Sequence, residues 1–429
     1  MSLIGPRRAL LSGSAPKPTL ALNFLSSATL DPRITFSRAS TAYYTNAAGV
    51  LTAASSNVPR FDYSPTSIGT PLGLLIEGQA TNNAWPSAPT NVNGIWIGSW
   101  KGVNGALSLP GVTAPDGSTN AILLTDATGS SIHCAVDDAL SSPNGGAAGG
   151  TANTAQAYSV WVKQAPGGAN TVRALVQSYG TANDLHATVN LVTGAVSGAG
   201  ASGDGTFVSA TSYAWPNGWW QVVLIGTPTA AASPSPNTIA TQIQANGGAT
   251  YAGTGQAQFY FWGKQSVTGG VPSSYIPTTQ GSGPVTRAAD VPYLTVPSIG
   301  TQGTMVVTAS VEGTGLTQVL ASTASGKYLA YVNSSGNVAI TDGTNTATSV
   351  GTVTVGAVFK VAASWGPAGL AISLNNATPV ANATYSGGFN NSTTIQLGQS
   401  GSGANSLFGH IQTQNFYSAR YTGAALKGF

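Results

Sequence analysis

Charged residues are scarce in this 429-residue sequence, which contains only 15 Lys and Arg and 12 Asp and Glu. An ordinary soluble domain is about a quarter charged, so hydroxyl and amide groups must keep much of this surface hydrated. Acid–base catalysis needs pairs of ionisable groups, and twelve carboxylates with three histidines offer few. The composition therefore favours binding and architecture over catalysis.

Cysteine is represented only by Cys134, which excludes an intramolecular disulfide. Nothing points to an oxidising secretory route, and a buried, inert thiol is the expected state of this residue. The N-terminus lacks the apolar segment of a signal peptide, and no apolar run reaches the roughly 18 residues of a spanning helix. We expect synthesis in a cytoplasm and no membrane insertion.

Helical periodicity is almost absent, whereas short β-branched or aromatic runs recur between clusters of Gly, Asn, Ser and Pro. Runs at roughly ten-residue spacing are typical of antiparallel β-sandwiches. Asp342-Gly343 and Asn375-Asn376 are pairs that close hairpins. The predicted strands cover residues 158–162, 220–225, 258–262, 303–311, 327–332, 338–340, 359–365 and 370–374.

Proline and glycine clusters near residues 85–89 and 277–297 divide the chain. We predict an all-β fold with an N-terminal extended anchor over residues 1–85, a jelly-roll-like sandwich over 86–290 and a smaller sandwich over 298–429. Aromatic residues make up 8% of the chain and occur along its whole length, which excludes disorder.

Positive charge is concentrated at the N-terminus, where residues 1–60 carry six cations against Asp31 alone. Without interleaved aromatic residues this is weak support for nucleic-acid binding, and we expect docking onto an acidic protein surface instead. Arg7, Arg8 and Lys17 are the docking candidates. Three further residues of this segment are expected to form structural pairs, namely Arg38, Arg60 and Asp62.

Several N-terminal strings resemble the N-terminal module of bacteriophage head-spike and tail-fibre proteins. They are LDPRITFSRASTAYYTNAAGV at 30–50, NVPRFDY at 57–63 and GLLIEG at 73–78. SYIPT at 274–278 and VTRAAD at 285–290 are similar to the exit of modules that occur in such proteins. The resemblance implies a virion protein that docks through its N-terminus to capsid or tail proteins and assembles as a homo-oligomer, with a trimer favoured.

The middle segment resembles a jelly-roll carbohydrate-binding module through Trp219-Trp220 and WGKQ at 262–265. The last segment is similar to a laminin-G or concanavalin-like sandwich through Trp365 and the residues around His410. These resemblances imply binding of bacterial surface polysaccharide.

A glycan site needs an exposed aromatic ring among amide and carboxylate groups, because sugars offer both C–H faces and hydroxyl edges. The candidates are Trp96, Trp100 and Trp215. Bulky neighbours on both sides predict that Trp161 and Trp262 are core residues. Adjacent side chains of a strand face opposite ways, so one of Trp219 and Trp220 should be buried and the other exposed or at an interface.

The enzyme interpretations lack a complete residue set. A glycoside hydrolase needs two carboxylates about 5 to 9 Å apart, but the only glutamates, Glu77 and Glu312, lie in different predicted segments. No nucleophile elbow accompanies the histidines, and His410 is expected to be satisfied or exposed. We therefore expect no enzyme, because a catalytic set would have to assemble across subunits.

Metal and cofactor signals are also weak. Asp137-Asp138 could contribute to a calcium site, but no spaced series of oxygen ligands follows. His133 and Cys134 lack the partner spacing of a zinc site. Asp116-Gly117 is interpreted as part of a turn. We expect neither a metal nor a cofactor.

The leading hypothesis is a virion fibre or spike, in the head or the tail, that docks through residues 1–85 and binds glycans. The alternatives are a purely structural virion decoration protein and a polysaccharide-degrading tailspike. On the anchor hypothesis, deleting residues 1–60 leaves a folded remainder that no longer enters particles.

Overall fold

A computed structural model describes residues 16–26, 28–84, 91–92, 95–96, 100–137, 153–178, 183–229, 239–278, 284–401 and 403–429. Nearly all of its regular structure is β-strand, and every strand pair in it is antiparallel. The predicted all-β class is confirmed. Among the described residues, no helix is long and apolar enough to cross a membrane.

The described residues of the N-terminal part form seven strands. They are β1 (Leu20–Asn23), β2 (Ile34–Ser37), β3 (Ala42–Thr45), β4 (Leu51–Ala54), β5 (Arg60–Tyr63), β6 (Pro71–Glu77) and β7 (Ala80–Asn82).

The described residues of the middle part form sixteen strands and two short 3₁₀ turns, Pro216–Gly218 and Asn246–Gly248. The strands are β8 (Asn91–Val92), β9 (Ile95–Trp96), β10 (Trp100–Val103), β11 (Gly105–Ser108), β12 (Ile122–Asp126), β13 (Gly129–Ser131), β14 (Cys134–Asp137), β15 (Gln156–Gln164), β16 (Thr171–Ser178), β17 (Asp184–Asn190), β18 (Val196–Ser202), β19 (Thr206–Trp215), β20 (Trp219–Thr227), β21 (Ile239–Ala245), β22 (Tyr251–Gly253) and β23 (Ala257–Thr268).

The C-terminal part adds twelve strands and ends in the short helix α1 (Gly423–Lys427). The strands are β24 (Val285–Arg287), β25 (Val291–Thr295), β26 (Gly303–Val311), β27 (Gln318–Ala324), β28 (Lys327–Val332), β29 (Asn337–Thr341), β30 (Thr346–Thr352), β31 (Phe359–Trp365), β32 (Leu370–Leu374), β33 (Val380–Asn382), β34 (Thr394–Leu397) and β35 (Phe408–Tyr417).

All eight predicted strands lie within observed ones, in β15, β20, β23, β26, β28, β29, β31 and β32. Both predicted hairpin pairs also form turns. Asn375 and Asn376 both have positive φ angles, and Ala377 N donates to Leu374 O at 2.8 Å between β32 and β33. Gly343, with φ of 94°, lies between β29 and β30.

The middle sandwich packs two sheets around one apolar core. One sheet has the order β10-β14-β21-β16-β17-β18, and the other has the order β11-β12-β23-β15-β20-β19. Side chains from both sheets fill the core, among them Val160 from β15, Phe261 from β23 and Val176 from β16. Alternating side chains of a strand face opposite sides of its sheet, so the even-numbered residues of β15 enter this core.

The odd-numbered side chain Trp161 points to the outer face of the same sheet, where a second apolar cluster covers it. This cluster contains Trp161, Trp215, Trp219 and Trp262, and Leu51 of β4 packs into it. Strands buried on both faces read as continuous apolar runs, which explains FYFW at residues 259–262. The predicted burial of Trp161 and Trp262 is confirmed.

The second sandwich is built partly from N-terminal strands, contrary to the predicted separate anchor. One of its sheets has the order β33-β32-β31-β26-β35-β6-β5, with β1 also paired to β35. The facing sheet begins with β2 and continues β25-β34-β27-β28-β29-β30. Both contribute to one core, which includes Leu74 of β6, Val307 of β26 and Ile340 of β29.

The described N-terminal residues therefore belong structurally to the C-terminal sandwich, and the β3–β4 hairpin reaches across to the middle sandwich. The boundary predicted at residue 85 is wrong as a limit between independent units, because β1, β2, β5 and β6 complete sheets whose other strands lie about 200 to 400 residues further along the chain. Backbone pairing of this extent fixes β1, β2, β5 and β6 into the second sandwich.

Candidate functional site

Five charged side chains form a buried network where the N-terminal strands meet the link between the two sandwiches. We call it the ion hub, and it consists of Arg38, Arg60, Glu77, Arg287 and Asp290, all of them buried. Arg38 Nη1 donates to Asp290 Oδ1 at 3.0 Å, and Arg60 bridges Asp290 to Glu77, whose Oε2 lies 2.6 Å from Arg60 Nη1. The prediction that Arg38 and Arg60 each form structural ion pairs is confirmed.

Neutral groups complete the hub. Ser274 donates its backbone N–H and its hydroxyl to the two oxygens of Glu77, each at 2.6 Å. Arg287 donates to the carbonyl of Gly78 at 2.7 Å. Burial alone raises the pKa of Glu77, but Arg287, Arg60 and the Ser274 hydrogen bonds outweigh it and hold that pKa at about 2. The carboxylate is thus charged in the folded protein.

A pocket lies beside the hub, between the middle sandwich and the second one, with a cavity volume of about 230 Å³. Strands β5, β6 and β35 are neighbours in one sheet and supply its polar wall, together with Glu312, which directly follows β26. Strands β15, β19 and β20 of the middle sandwich supply its aromatic wall. Glu77 lines the pocket as well, so the hub forms part of its base.

The polar wall centres on His410, which lies between two carboxylates. His410 Nε2 is 2.8 Å from Asp62 Oδ2, and His410 Nδ1 is 3.7 Å from Glu312 Oε1. The second oxygen of Asp62 accepts the backbone N–H of Thr45 at 2.6 Å. The expectation that His410 is a satisfied histidine is confirmed, and Asp62 is its partner.

Burial by itself lowers the pKa of His410. The hydrogen bond to Asp62 and the charges of Asp62, Glu312 and Glu77 outweigh that effect, so the pKa lies above 6.5. Burial raises the pKa of Glu312, His410 opposes the change, and the charges of Asp62 and Glu77 reinforce it. Glu312 therefore exchanges its proton closer to neutral pH than an isolated carboxyl group does.

Ser310 does not complete a hydrolase triad at this pocket. Its Oγ lies 3.2 Å from His410 Nδ1, as its cross-strand position opposite His410 requires. However, Ser310 is buried and is not among the side chains that line the pocket. A nucleophile needs access to the substrate, so this serine has a structural role.

The aromatic wall contains one of the three predicted glycan-binding tryptophans. Trp215 lines the pocket, but it is buried, at 9% exposure, and not exposed as predicted, because its ring packs edge-on to Trp161 at a centroid distance of 5.5 Å. Tyr213, two residues earlier on β19, lies on the same face and is more exposed. Tyr275 packs against Trp161 from the other side at 5.6 Å.

Trp100 is a correction to the sequence prediction. It is only 4% exposed and packs on Phe261 in the core of the middle sandwich, with a centroid distance of 4.7 Å. A glycine-rich flank suggested exposure, but an indole ring buries enough area to be drawn into a core whatever its flanks. For Trp96 the structure gives the strand, β9, and its side chain lies outside the described residues.

Trp219 and Trp220 face opposite ways, as predicted. Trp219 is buried in the outer cluster and donates its indole N–H to Thr113 O at 3.0 Å. Trp220 is half-buried against the inner core and donates to Leu191 O at 2.9 Å. The half-buried ring thus packs within the sandwich, because its sheet is covered on both faces.

The docking candidates are placed only in part. Arg7 and Arg8 lie outside the described residues, and Lys17 is exposed. Three other cations of residues 1–60 are engaged internally, since Arg38 and Arg60 belong to the hub and Arg33 pairs with Asp31 at 2.6 Å. Less of the N-terminal positive charge is therefore free to face a partner than the sequence predicted.

The remaining polar candidates have local roles. Cys134 is buried, as expected, and burial raises its pKa to about 11. Asp116 accepts from Ser118 N at 3.0 Å, which confirms the predicted turn. Asp137 ends β14, while Asp138 lies outside the described residues. Within the described ranges, no group of three or more His, Cys, Asp or Glu could hold a metal.

Sequence reasoning missed the convergence of Asp62, Glu77, Glu312 and His410. One chain brings all four side chains to one pocket. Asp62 and His410 are 348 residues apart in sequence, and no local motif signals such a pair. The arrangement can accept hydrogen bonds from hydroxyl groups on one side and stack an apolar face on the other.

No protein-family model and no curated protein matches the chain.

Proposed function

We propose that this chain is a fibre or spike protein of a bacteriophage virion, in the head or the tail, that binds bacterial surface glycans in the pocket between its sandwiches. The observation that carries the binding proposal is the pocket itself, which pairs tryptophan and tyrosine rings with carboxylate groups on a chain otherwise poor in charge. A sugar-binding site needs both aromatic rings and polar acceptors, because a sugar presents C–H faces and hydroxyl edges.

The virion role rests on the resemblance of the N-terminal strings and of residues 274–290. Those strings supply the hub, since Arg38, Arg60, Glu77, Arg287 and Asp290 each lie within one of them. Through the hub, these residues join the N-terminal strands to the link between the sandwiches. Assembly as a homotrimer is part of the proposal, because linked weak sugar sites gain avidity.

A second candidate, a polysaccharide-degrading spike, is favoured by one observation. Glu312 and Asp62 flank His410 in the pocket, and Glu312 has a raised pKa, as a general acid requires. A purely structural decoration protein would leave the pocket without a ligand.

One experiment separates the three proposals. The intact protein is incubated with fractionated surface polysaccharide from candidate host bacteria, and both binding and polymer length are measured. Saturable binding at constant length supports the glycan-binding spike. Shortened polymer supports the hydrolase, and the absence of binding to every fraction supports the decoration protein. Trp215→Ala tests whether the pocket is responsible, with Trp100→Phe as a control in the neighbouring core.

A further inference from the structure

The charges that reach the pocket are almost all negative. The ionisable side chains of its lining include the carboxylates Asp62, Glu77 and Glu312, and His410 is the one cationic group among the described lining residues. His410 is already engaged by Asp62 at 2.8 Å. The guanidinium group of Arg60 is not part of the pocket lining and is engaged by Glu77 and Asp290.

Glu312 is the least satisfied of these carboxylates. Its side chain is 35% exposed, and its one ion-pair partner among the described residues, His410, lies 3.7 Å away. A carboxylate can accept about four hydrogen bonds and, when ionised, donates none. Glu312 therefore offers acceptor sites to a ligand that brings hydroxyl donors, and it repels a ligand that brings another carboxylate.

The aromatic wall contains unused donors. The indole N–H groups of Trp161 and Trp215 are buried and find no hydrogen-bond partner among the described residues. The neighbouring indoles of Trp219 and Trp262 do find acceptors, at 3.0 and 2.9 Å. Buried polar groups without partners are rare exceptions in proteins, but both N–H groups are closed to solvent and offer a ligand no direct contact.

The volume limits the ligand to a small group. At about 230 Å³ the cavity lies below the roughly 300–1,000 Å³ of pockets for drug-sized ligands. It suits one sugar ring at a chain end or on a branch better than an internal stretch of polymer.

We propose that the pocket selects a single uncharged sugar residue, with its C–H face against Trp215 and its hydroxyls donating to Glu312, and that it rejects carboxylated sugars such as uronic acids. This inference rests on the proposed glycan-binding function and adds the class of sugar. Recognition of an acidic sugar normally uses an arginine that pairs with its carboxylate through two hydrogen bonds. The described lining supplies no such arginine.

The test compares two probes that differ in one group, methyl β-glucoside and the methyl glycoside of glucuronic acid. Their binding to the full-length protein is measured by ligand-observed NMR at about pH 8, far above the usual pKa of a carboxyl group. We expect the glucuronic acid probe to bind at least about tenfold more weakly, since each tenfold corresponds to about 1.4 kcal/mol. Glu312→Gln should narrow this difference, whereas Asp204→Asn, which removes an exposed charge at a loop of the middle sandwich, should leave it unchanged.

The outcomes distinguish this inference from the function on which it rests. Equal or tighter binding of the glucuronic acid probe overturns the inference, and so does an unchanged difference in Glu312→Gln. If neither probe binds, the same comparison is made with neutral and uronic-acid-rich polysaccharides. Preference for the uronic-acid-rich polymer then overturns the inference alone, whereas the absence of binding to either polymer, and to every host fraction, overturns the proposed function itself.

Discussion

At the scale of single residues, the chain places much of its small stock of charge inside the protein. The ion hub removes five charged side chains from water, which is unfavourable unless each is paired and hydrogen-bonded. Arg60 meets this condition for both anions of the hub, because it contacts Glu77 and Asp290 together. Substitution of Arg60 alone would therefore leave two buried carboxylates, Glu77 and Asp290, with fewer partners.

Replacing Arg60 by methionine should lower the free energy of unfolding by about 3–5 kcal/mol, the usual cost of removing one partner of a buried ion pair. Denaturant titration at neutral pH measures the change. Arg33→Met is the matched control, because the Arg33 side chain is 51% exposed in its pair with Asp31 and should contribute less than about 1 kcal/mol. Equal losses in the free energy of unfolding would show that the hub stabilises the protein no more than an exposed ion pair does.

His410 should make stability depend on pH. Its pKa is raised above 6.5 in the folded protein, so its contribution is fully present below that value and is lost as the pH rises through the raised pKa. Urea unfolding from about pH 5.5 to about pH 9 should therefore show a downward trend in stability that is flatter in His410→Gln. If the free energy of unfolding of His410→Gln fell with pH as steeply as that of the unsubstituted protein, His410 would not be the source of the pH dependence.

At the scale of elements, local chemistry accounts for the strands and turns. The turn between β32 and β33 places Asn375 and Asn376 at φ angles of 49° and 60°. Asparagine tolerates this left-handed region better than residues with bulky β-carbons. The same principle operates across the chain, since all the described non-glycine residues with positive φ are asparagines.

Substitution of Asn376 tests the turn. Asn376→Gly should leave stability unchanged or raise it slightly, whereas Asn376→Val should lower the free energy of unfolding by about 1–2 kcal/mol. The glycine variant serves as the control for loss of the asparagine side chain. Thermal unfolding of the two variants side by side gives the comparison, and similar losses in both would mean that side-chain contacts matter more than backbone conformation.

At the scale of the whole molecule, the N-terminal strands connect the two sandwiches. β5 and β6 extend a sheet of the second sandwich, while Leu51 and Tyr43 pack on the middle one. The sequence-based expectation that residues 1–60 could be deleted from a folded remainder is therefore revised. Such a deletion removes Arg38, Arg60 and four strands.

Two truncations test this revision. Removal of residues 1–60 should give an insoluble or partly unfolded product, because it opens the hub and exposes core residues of the second sandwich. Removal of residues 1–15 should leave the unfolding transition intact, since it spares every described strand, the first of which begins at Leu20. On the proposed virion role, the shorter truncation also loses incorporation into particles, because it removes Arg7 and Arg8. A folded, soluble 61–429 fragment would restore the idea of a separate anchor.

The sequence by itself determined the class of structure. Apolar runs bounded by turn residues predicted eight strands that the structure contains, and alternation predicted the opposite orientations of Trp219 and Trp220. These features depend on residues close together in the chain, where side-chain period and turn chemistry act directly. The burial of Trp161 followed from the same local signal.

Only the tertiary structure decided which distant residues meet. Trp100 is buried in the core despite its glycine-rich flank, and strands β1, β2, β5 and β6 belong to the C-terminal sandwich. Asp62 meets His410 and Glu312 at one pocket. Each of these contacts depends on the order of strands in a sheet. That order is set by the total burial of apolar surface and the pairing of all backbone groups, which no short window of sequence contains.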